Sequence, residues 1–363
     1  MDFNFREEMR NFVPAAMENK KICMYGMGVD WEYQRRLYRN FAKTELAHCA
    51  DFLVDGSAAK QDTTIAGKKI HAPEEIPWDD CVVFITSHNR GSEIAMELIK
   101  RGFRSAYSYY GIYYLSRIFY DYIFRLSVAL KGNHNKQRCF IIGNGPSLCA
   151  KDLNKLYKCG DVSFATNQIY KIFDKTAWRP SYYVLADGNA VKNYDMINQW
   201  DCAKFVNLSY AMTSENFAMD NVFYFMQNDM TWWLIRTAVP EVSTNIYNLD
   251  TGGTSTFTNI QLALYMGFSE IYLLGVDNIF NASKMNNGDL IRNEDIQNYF
   301  IDTNTYFSGA TGLECFNEVY IEQVNLAYQS AADYAAKHNV IIKNASRAGK
   351  IDAFKYVDFD SLF

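Results

Sequence analysis

Short apolar runs alternate with longer amphipathic segments along most of the chain. In the first hundred residues, apolar runs at Lys21–Tyr25 and Cys81–Thr86 each precede a segment with the apolar spacing of a helix. Beyond residue 137 the alternation returns, and it predicts strands at Arg138–Ile142, Val162–Ala165, Tyr182–Ala186, Lys204–Leu208 and Glu270–Leu274. Strands that alternate with helices are typical of parallel sheets. The pattern therefore predicts an α/β protein with two Rossmann-like domains and mainly parallel sheets, joined by an aromatic-rich helix.

The length of the chain also favours two domains, because 363 residues exceed what one hydrophobic core usually supports. We predict a small Rossmann-like module over residues 1–106, a connecting helix and linker over 107–137, and a larger domain over 138–363. Within the larger domain, the Asn- and Asp-rich segment 278–312 predicts a mobile lid.

The connecting segment is rich in tyrosine and phenylalanine. Its charged residues Arg117, Asp121 and Arg125 are spaced four apart, so they share one helix face and can pair along it. The simplest interpretation is a helix clamped between the two domains. A homo-oligomer interface and peripheral contact with a membrane surface are the alternatives, whereas charges in the middle of the segment do not fit a membrane span.

Composition narrows the class of protein. Hydrophobic residues make up 49% of the chain and charged residues 21%, as in a soluble globular protein, and the net charge of −5 does not indicate a nucleic-acid partner. Eight cysteines show neither metal-type nor disulfide-type spacing, and the N-terminus lacks the features of a secretory signal. We therefore expect a cytoplasmic protein, with the inner face of the membrane as an alternative location.

The first domain carries a short glycine motif. Gly26 and Gly28 follow a predicted strand, but the third glycine of a dinucleotide-binding fingerprint is missing. Asp55 also lies further along the chain than the acid that binds a ribose in that fingerprint. We therefore favour a structural or partner-docking module over a dinucleotide site.

A second glycine-rich loop opens the larger domain. The predicted strand Arg138–Ile142 ends at Gly143–Ser147, and a helix-compatible stretch follows. Glycines let the backbone approach a ligand closely, and the free N–H groups of a helix start attract an anion. An ordinary strand-to-helix turn fits this loop equally well when it is considered alone.

Polar residues follow the next two predicted strands. Asn167 and Gln168 come after Val162–Ala165, and their amides can both donate and accept, which suits a ribose or a pyrimidine edge. Asp187 follows Tyr182–Ala186 and can be a base, a hydroxyl anchor, a metal ligand or a helix N-cap. Ligands of open α/β sheets bind beyond the carboxyl ends of the strands, where these residues collect.

A third glycine cluster, Thr251–Ser255, leads into a predicted helix, and the next strand ends at Gly275–Asp277. Hydroxyls and bare glycines at a helix start form an anion cradle. No lysine follows as in a P-loop, so the cluster is not a Walker A motif. The two glycine loops of the larger domain, taken with the polar strand ends, predict a site for a nucleotide or another phosphorylated ligand.

Three motifs resemble those of one bacterial superfamily. They are IIGNGPSL at 141–148, TNQ at 166–168, and TGGT…LALYMGFSEIYLLGVD at 251–277. The superfamily includes the CMP-sialic-acid-dependent sialyltransferases, the central domain of motility-accessory flagellin glycosyltransferases and 6-hydroxymethylpterin diphosphokinase-like proteins, and the likeness spans about residues 138–350. The resemblance implies a nucleotide-binding role for Gly143, Asn144, Gly145, Pro146, Ser147, Asn167, Gln168, Thr251, Gly252, Gly253, Thr254, Ser255, Gly275 and Asp277.

The general base does not carry over from the resemblance. The sialyltransferases use a lid histidine just before a long helix, with tyrosines nearby that stabilise the departing phosphate, and none of the five histidines here lies in the lid. Glu314 lies near the place of that histidine, and a carboxylate can act as a base when its pKa suits the task. It can equally be a charge at the helix entry, so the base stays unassigned. The catalytic candidates are Glu314, Asp187 and Tyr306.

Three functions fit these motifs. The one we favour is an inverting glycosyltransferase for surface-glycan or glycoprotein synthesis. It would move a CMP-linked, sialic-acid-like sugar to a glycan or protein acceptor and would require no cofactor, because N–H dipoles and tyrosine hydroxyls can stabilise the departing phosphate. The second is a 6-hydroxymethylpterin diphosphokinase-like pyrophosphoryl transferase, which needs ATP and Mg²⁺. The third is a non-catalytic nucleotide- or sugar-binding protein.

Overall fold

A computed structural model divides the chain into two compact units, Met1–Leu126 and Ser127–Phe363. The described residues are 3–104, 109–145, 147–186, 194–213, 219–228, 239–277, 282–284, 290–292, 318–348 and 351–363.

Unit 1 contains six short strands and the helices that connect them. The strands are β1 (Lys21–Tyr25), β2 (Phe52–Val54), β3 (Thr64–Ile65), β4 (Lys68–His71), β5 (Cys81–Ile85) and β6 (Tyr109–Tyr110). The helices are α1 (Phe5–Met9), α2 (Val29–Phe41), α3 (Gly91–Lys100) and α4 (Ile112–Val128), and the last residues of α4 belong to unit 2.

The strands of unit 1 form one sheet in the order β3-β4-β2-β1-β5-β6, with parallel pairing everywhere except in the β3–β4 hairpin. Every residue of β5 is buried, as expected for a strand that is covered on both faces. In α4 one of the predicted charge pairs is confirmed, because Arg125 lies 3.1 Å from Asp121 one turn earlier.

Unit 2 is larger and follows the same strand–helix alternation. Its strands are β7 (Arg138–Ile142), β8 (Val162–Thr166), β9 (Tyr182–Leu185), β10 (Ala203–Asn207), β11 (Val222–Phe225), β12 (Gln227–Asn228), β13 (Leu249–Asp250), β14 (Glu270–Leu274), β15 (Ala282–Lys284), β16 (Leu290–Arg292), β17 (Ile341–Asn344) and β18 (Lys355–Tyr356). Its helices are α5 (Ala150–Cys159), α6 (Tyr194–Asn198), α7 (Leu208–Thr213), α8 (Ser255–Tyr265) and α9 (Glu318–His338).

The main sheet of unit 2 has the order β11-β10-β9-β8-β7-β14-β17-β18, and all its pairings are parallel. Helix α8 packs on β7 and β8 and is buried on nearly every side, which its mostly apolar sequence permits. The predicted α/β class with mainly parallel, Rossmann-like sheets is therefore confirmed.

Two predicted segments gain detail from the structure. Residues 127–137, which we predicted as part of the connector, fall in unit 2, where the Gly132 and His134 N–H groups donate to the carbonyls of Tyr265 and Met266. Of the predicted lid 278–312, the structure describes β15 and β16, which pair antiparallel. Within the described ranges, no helix has the length and apolarity needed to cross a membrane.

Candidate functional site

Successive strands of unit 2 are added first on one side of β7 and later on the other, so the order of strands in the sheet reverses between β7 and β14. From β7 the chain runs outward through β8, β9, β10 and β11, and it later returns to the other side of β7 as β14, β17 and β18. Open α/β sheets bind ligands in the crevice outside the carboxyl ends of the strands at such a switch point. The loops that follow β7 and β14 therefore frame the candidate site.

These two loops are joined through closely spaced backbone atoms. The Gly143 N–H donates to the Leu274 carbonyl at 2.8 Å, and the Gly145 N–H donates to the Gly275 carbonyl at 2.8 Å. A Cβ atom at Gly143 would lie 2.4 Å from the Gly275 oxygen, and one at Gly145 would lie 2.6 Å from the Asp277 carboxylate. Both positions thus require glycine for contact between the loops, quite apart from any approach to a ligand.

Asp277 completes the link between the loops. The Ser147 N–H donates to its Oδ2 at 2.8 Å, and the Ser147 hydroxyl donates to its Oδ1. The carboxylate is almost fully buried, and this burial raises its pKa above the usual aspartate range, while the bonds from Ser147 favour the charged form. Asp277 therefore positions the glycine loop, a role that its sequence motif alone does not reveal.

Two amide side chains beside the loop have buried oxygen atoms that lack a hydrogen-bond donor among the described residues. They are Oδ1 of Asn144 and Oε1 of Gln168. The Nδ2 of Asn144 donates to the Thr166 carbonyl at 3.2 Å. This bond assigns the nitrogen end of the amide, so the end without a partner is the acceptor Oδ1. Buried polar atoms without a partner are rare in proteins, so these two oxygens are candidates to accept a hydrogen bond from a ligand or a water.

Asn167, which directly precedes Gln168 in the sequence, has a left-handed backbone with φ near 53°. Asparagine tolerates this conformation better than most residues. Its carbonyl accepts a hydrogen bond from the Tyr183 hydroxyl at 2.9 Å. The backbone turn after β8 is therefore held by β9, and this arrangement fixes the position of Gln168.

The second loop, Thr251–Ser255, lies at the start of α8. The Asp250 carboxylate accepts from the Gly252 N–H at 2.9 Å, and the Thr254 hydroxyl caps the helix by accepting from the Thr256 N–H at 3.3 Å. Because α8 leads back to the beginning of the parallel strand β14, its N-terminus lies at the carboxyl edge of the sheet. The N–H groups of this helix end therefore point towards the same edge as the β7 loop.

Tyr328, in the long helix α9, supports the second loop. Its hydroxyl contacts the side chains of Thr254 and Thr256, and burial raises the pKa of Tyr328 to about 12. The tyrosine therefore stays neutral and holds the helix cap in place. Sequence reasoning missed it, because Tyr328 is separated from the loop by more than 70 residues.

The predicted site residues divide into three groups. Gly143, Asn144, Gly145 and Ser147 meet Gly275 and Asp277 at the switch point, and Asn167 and Gln168 follow the neighbouring strand. The residues of Thr251–Ser255 lie at the same sheet edge through α8. Pro146 and the catalytic candidates Asp187, Tyr306 and Glu314 lie outside the described residues. Within the described ranges, no cluster of three or more His, Cys, Asp or Glu side chains has the arrangement of a metal site.

The glycine motif of unit 1 has a different arrangement. Asp55 accepts from the Met27 N–H at 2.8 Å and the Ser57 N–H at 2.8 Å, and Lys60 lies 3.3 Å from the same carboxylate. These bonds use Asp55 to join its own loop to the loop after β1. This structural role of Asp55 agrees with the interpretation of unit 1 as a structural module. The alternative, that the module docks a partner, stays a prediction.

The fold and loops define unit 2 as a Rossmann-like domain with glycine loops at the switch point of its sheet. Residues 120–282 match the family model described as MptE-like, 6-hydroxymethylpterin diphosphokinase MptE-like. This segment contains both glycine loops and the Gly275–Asp277 corner, and the match confirms the superfamily resemblance over this part of the chain.

A solved structure described as MAf glycosyltransferase from Magnetospirillum magneticum AMB-1 is similar at 15% sequence identity and a TM-score of 0.39. The similarity covers 80% of this chain and 50% of that chain, so this chain spans about half the length of that protein. No curated protein sequence matches the chain significantly.

Proposed function

We propose that unit 2 is the donor-binding domain of a glycosyltransferase, and that its donor is a CMP-linked, sialic-acid-like sugar. The observation that carries the proposal is the pair of buried amide oxygens at the switch point, Asn144 Oδ1 and Gln168 Oε1, which lack a donor among the described residues. An amide oxygen can only accept a hydrogen bond. It therefore suits the hydroxyls of a ribose or the amino group of a base, and not the oxygens of a phosphate.

The phosphate has a separate place in this proposal. The N-terminus of α8 carries a partial positive charge, and Ser255 adds a hydroxyl group beside it, while the Thr254 hydroxyl caps the helix. A nucleotide would then lie across the two loops, with its nucleoside towards Asn144 and Gln168 and its phosphate towards α8.

The proposed reaction is a displacement at the anomeric carbon of the sugar. The acceptor hydroxyl forms the new glycosidic bond and gives its proton to a base, while the bond from the sugar to the phosphate oxygen breaks and CMP leaves. The helix N-terminus stabilises the charge that collects on the departing phosphate. Glu314 and Asp187 are the candidates for the base, and Tyr306 is the candidate for a hydroxyl that donates a hydrogen bond to the departing phosphate. All three are proposed from the sequence alone. The acceptor is a glycan or a protein, and no metal is required.

A second candidate, a pyrophosphoryl transferase, is favoured by the description of the matching family. That reaction uses ATP with Mg²⁺, which is held by converging carboxylates. In this structure both oxygens of Asp277 accept from Ser147, and those of Asp250 accept from the Gly252 and Glu241 N–H groups. Both carboxylates therefore support loops, and Asp187, the other carboxylate expected near this site, lies outside the described residues.

Thermal unfolding with CMP, CDP, UDP, GDP and ATP, each with and without Mg²⁺, tests the proposal. A ligand that binds only the folded state at 100 times its Kd stabilises it by about 2.7 kcal/mol. For a unit of this size the melting temperature then rises by roughly 5–10 °C. We expect this rise with CMP in the absence of Mg²⁺. In a separate activity assay, we expect the protein to release CMP from a CMP-linked sugar.

Each contrary result would indicate a different function. A rise that requires both ATP and Mg²⁺ would replace the glycosyltransferase with the pyrophosphoryl transferase. A rise with CMP, but without hydrolysis or transfer of any CMP-linked sugar, would indicate a non-catalytic binding protein.

A further inference from the structure

Asn259 lies in the second turn of α8, and its side chain is completely buried. Among the described residues, neither its Oδ1 nor its Nδ2 has a hydrogen-bond partner. An unpaired buried polar group is unfavourable for folding, and this amide has two such groups. An asparagine that only filled space here would destabilise the fold, so the position requires another explanation.

The contacts of neighbouring residues show the direction in which Asn259 points. The Thr258 hydroxyl accepts from Gln227 in β12 at 2.9 Å, and the Thr256 side chain contacts Tyr328 in α9. Successive residues of a helix are about 100° apart around its axis, so Asn259 lies between these two directions. Helix α8 packs on β7 and β8. Asn259 lies one turn after the start of this helix, so it lies near the end of α8 that is at the carboxyl edge of β7 and β8.

Asn259 is thus the third amide with unpaired buried atoms associated with these two strands, after Asn144 and Gln168. The oxygens of all three need a donor, and Asn259 also offers a donor that needs an acceptor. A ribose hydroxyl or the edge of a base presents both kinds of group. A phosphate presents acceptor oxygens only, so it would leave all three amide oxygens unpaired.

We propose that Asn259 is a further binding residue for the nucleoside part of the ligand, an inference that rests on the proposed nucleotide site. Its amide recognises a group that both donates and accepts, while Asn144 and Gln168 accept from neighbouring hydroxyl or amino groups. The amide lacks hydrogen bonds in the free protein, which lowers its stability, and it forms them when the ligand binds. Asn259 therefore weakens the empty fold and strengthens the complex.

The same helix offers a matched control in Gln261, which is also fully buried. Its Nε2 donates to the Asp250 carbonyl at 2.7 Å, and its Oε1 accepts from the N–H groups of Ser243 and Asp250 at 3.0 and 3.1 Å. Replacement of this fully paired amide by leucine leaves backbone groups unpaired, so Gln261→Leu should unfold at lower denaturant than the wild type.

The test uses the full chain and compares Asn259→Leu and Asn259→Ala with the wild type and with Gln261→Leu. Unfolding in urea without ligand, and calorimetric titration with CMP, UDP, GDP, ATP and inorganic phosphate, are measured for each. We expect at least one Asn259 variant to unfold at the same or higher urea concentration than the wild type. Its Kd for the nucleotide that the wild type binds should rise roughly tenfold or more, with an unchanged response to inorganic phosphate.

Two results would overturn the inference while the proposed nucleotide site stands. One is nucleotide affinity that stays at the wild-type level in the folded Asn259 variants. The other is a loss of stability in both Asn259 variants that matches Gln261→Leu, which would show that the amide is paired in the free protein. A wild type that binds none of the four nucleotides would instead overturn the nucleotide site itself, and the inference with it.

Discussion

At the scale of single residues, Asp277 links two loops that are far apart in the sequence. Both its oxygens accept hydrogen bonds from Ser147, which lies 130 residues earlier. Each residue is recognisable as part of a motif, but nothing in the sequence shows that one binds the other. Sequence reasoning therefore located the loops of the candidate site without showing what holds them together.

Burial of Asp277 predicts a pH dependence of stability. Its pKa in the folded protein lies above the usual aspartate value, so between these two values the folded state binds more protons than the unfolded state. The contribution of Asp277 to stability is therefore fully present below the usual value, and it decreases as pH rises through the folded-state pKa. We expect Asp277→Asn, which cannot ionise, to gain stability relative to the wild type as pH rises through this range. Urea unfolding at several acid pH values measures the difference, and a relative gain by the wild type would contradict the assignment.

Asn144 supplies a second prediction at this scale. Asn144→Ala removes Oδ1, which has no partner among the described residues, and one long hydrogen bond, to the Thr166 carbonyl at 3.2 Å. We expect the Kd for CMP to rise roughly tenfold with a loss of about 1 kcal/mol or less in unfolding free energy, as measured by calorimetric titration and urea unfolding.

The control for Asn144→Ala is a glycine of unit 1. Gly28→Ala is suitable, because no atom lies within 4 Å of the added Cβ. Gly26 has a φ of 111° and little room beside Ser87, so an alanine there would strain the backbone. A loss of CMP affinity in Gly28→Ala, with none in Asn144→Ala, would move the nucleotide site to unit 1.

At the scale of elements, the α8 cap depends on a helix that lies far along the chain. The hydroxyl of Tyr328 in α9 contacts Thr254 and Thr256, which form the cap. The apolar pattern of α8 and the spacing of its glycines predict the helix and its N-terminus, because both are local features. The support from α9 and the unpaired amide of Asn259 depend on tertiary packing, which periodicity does not show. Asn259 is one of five polar residues in α8, so the sequence offers no separate signal for it.

Tyr328→Phe tests the support of the cap. The change removes the hydroxyl and leaves the ring in place, so we expect a loss of about 1 kcal/mol in unfolding free energy and weaker CMP binding. Tyr334→Phe is the matched control on the same helix, because its ring keeps its stacking on His338. Urea unfolding and calorimetric titration measure both variants. Equal effects of the two changes would show that Tyr328 has no particular role at the cap.

At the scale of the whole molecule, the two units use their glycine motifs differently. In unit 1 the Asp55 carboxylate accepts hydrogen bonds from N–H groups of its own loop and of the loop after β1. At the switch point of unit 2, the buried oxygens of Asn144 and Gln168 have no donor among the described residues. The parallel architecture of both units was predictable from strand–helix alternation. The difference between their sites was not, since it depends on which side chains the loops already use.

Hydrogen exchange of the full chain with and without saturating CMP tests the central claim most directly, because binding slows exchange of the amides that it orders. The account predicts slower exchange in peptides that cover residues 143–148, 166–168 and 251–256, with no change at residues 26–30 and 55–60. Slower exchange confined to the loops of unit 1, or no change in any of these peptides, would contradict it.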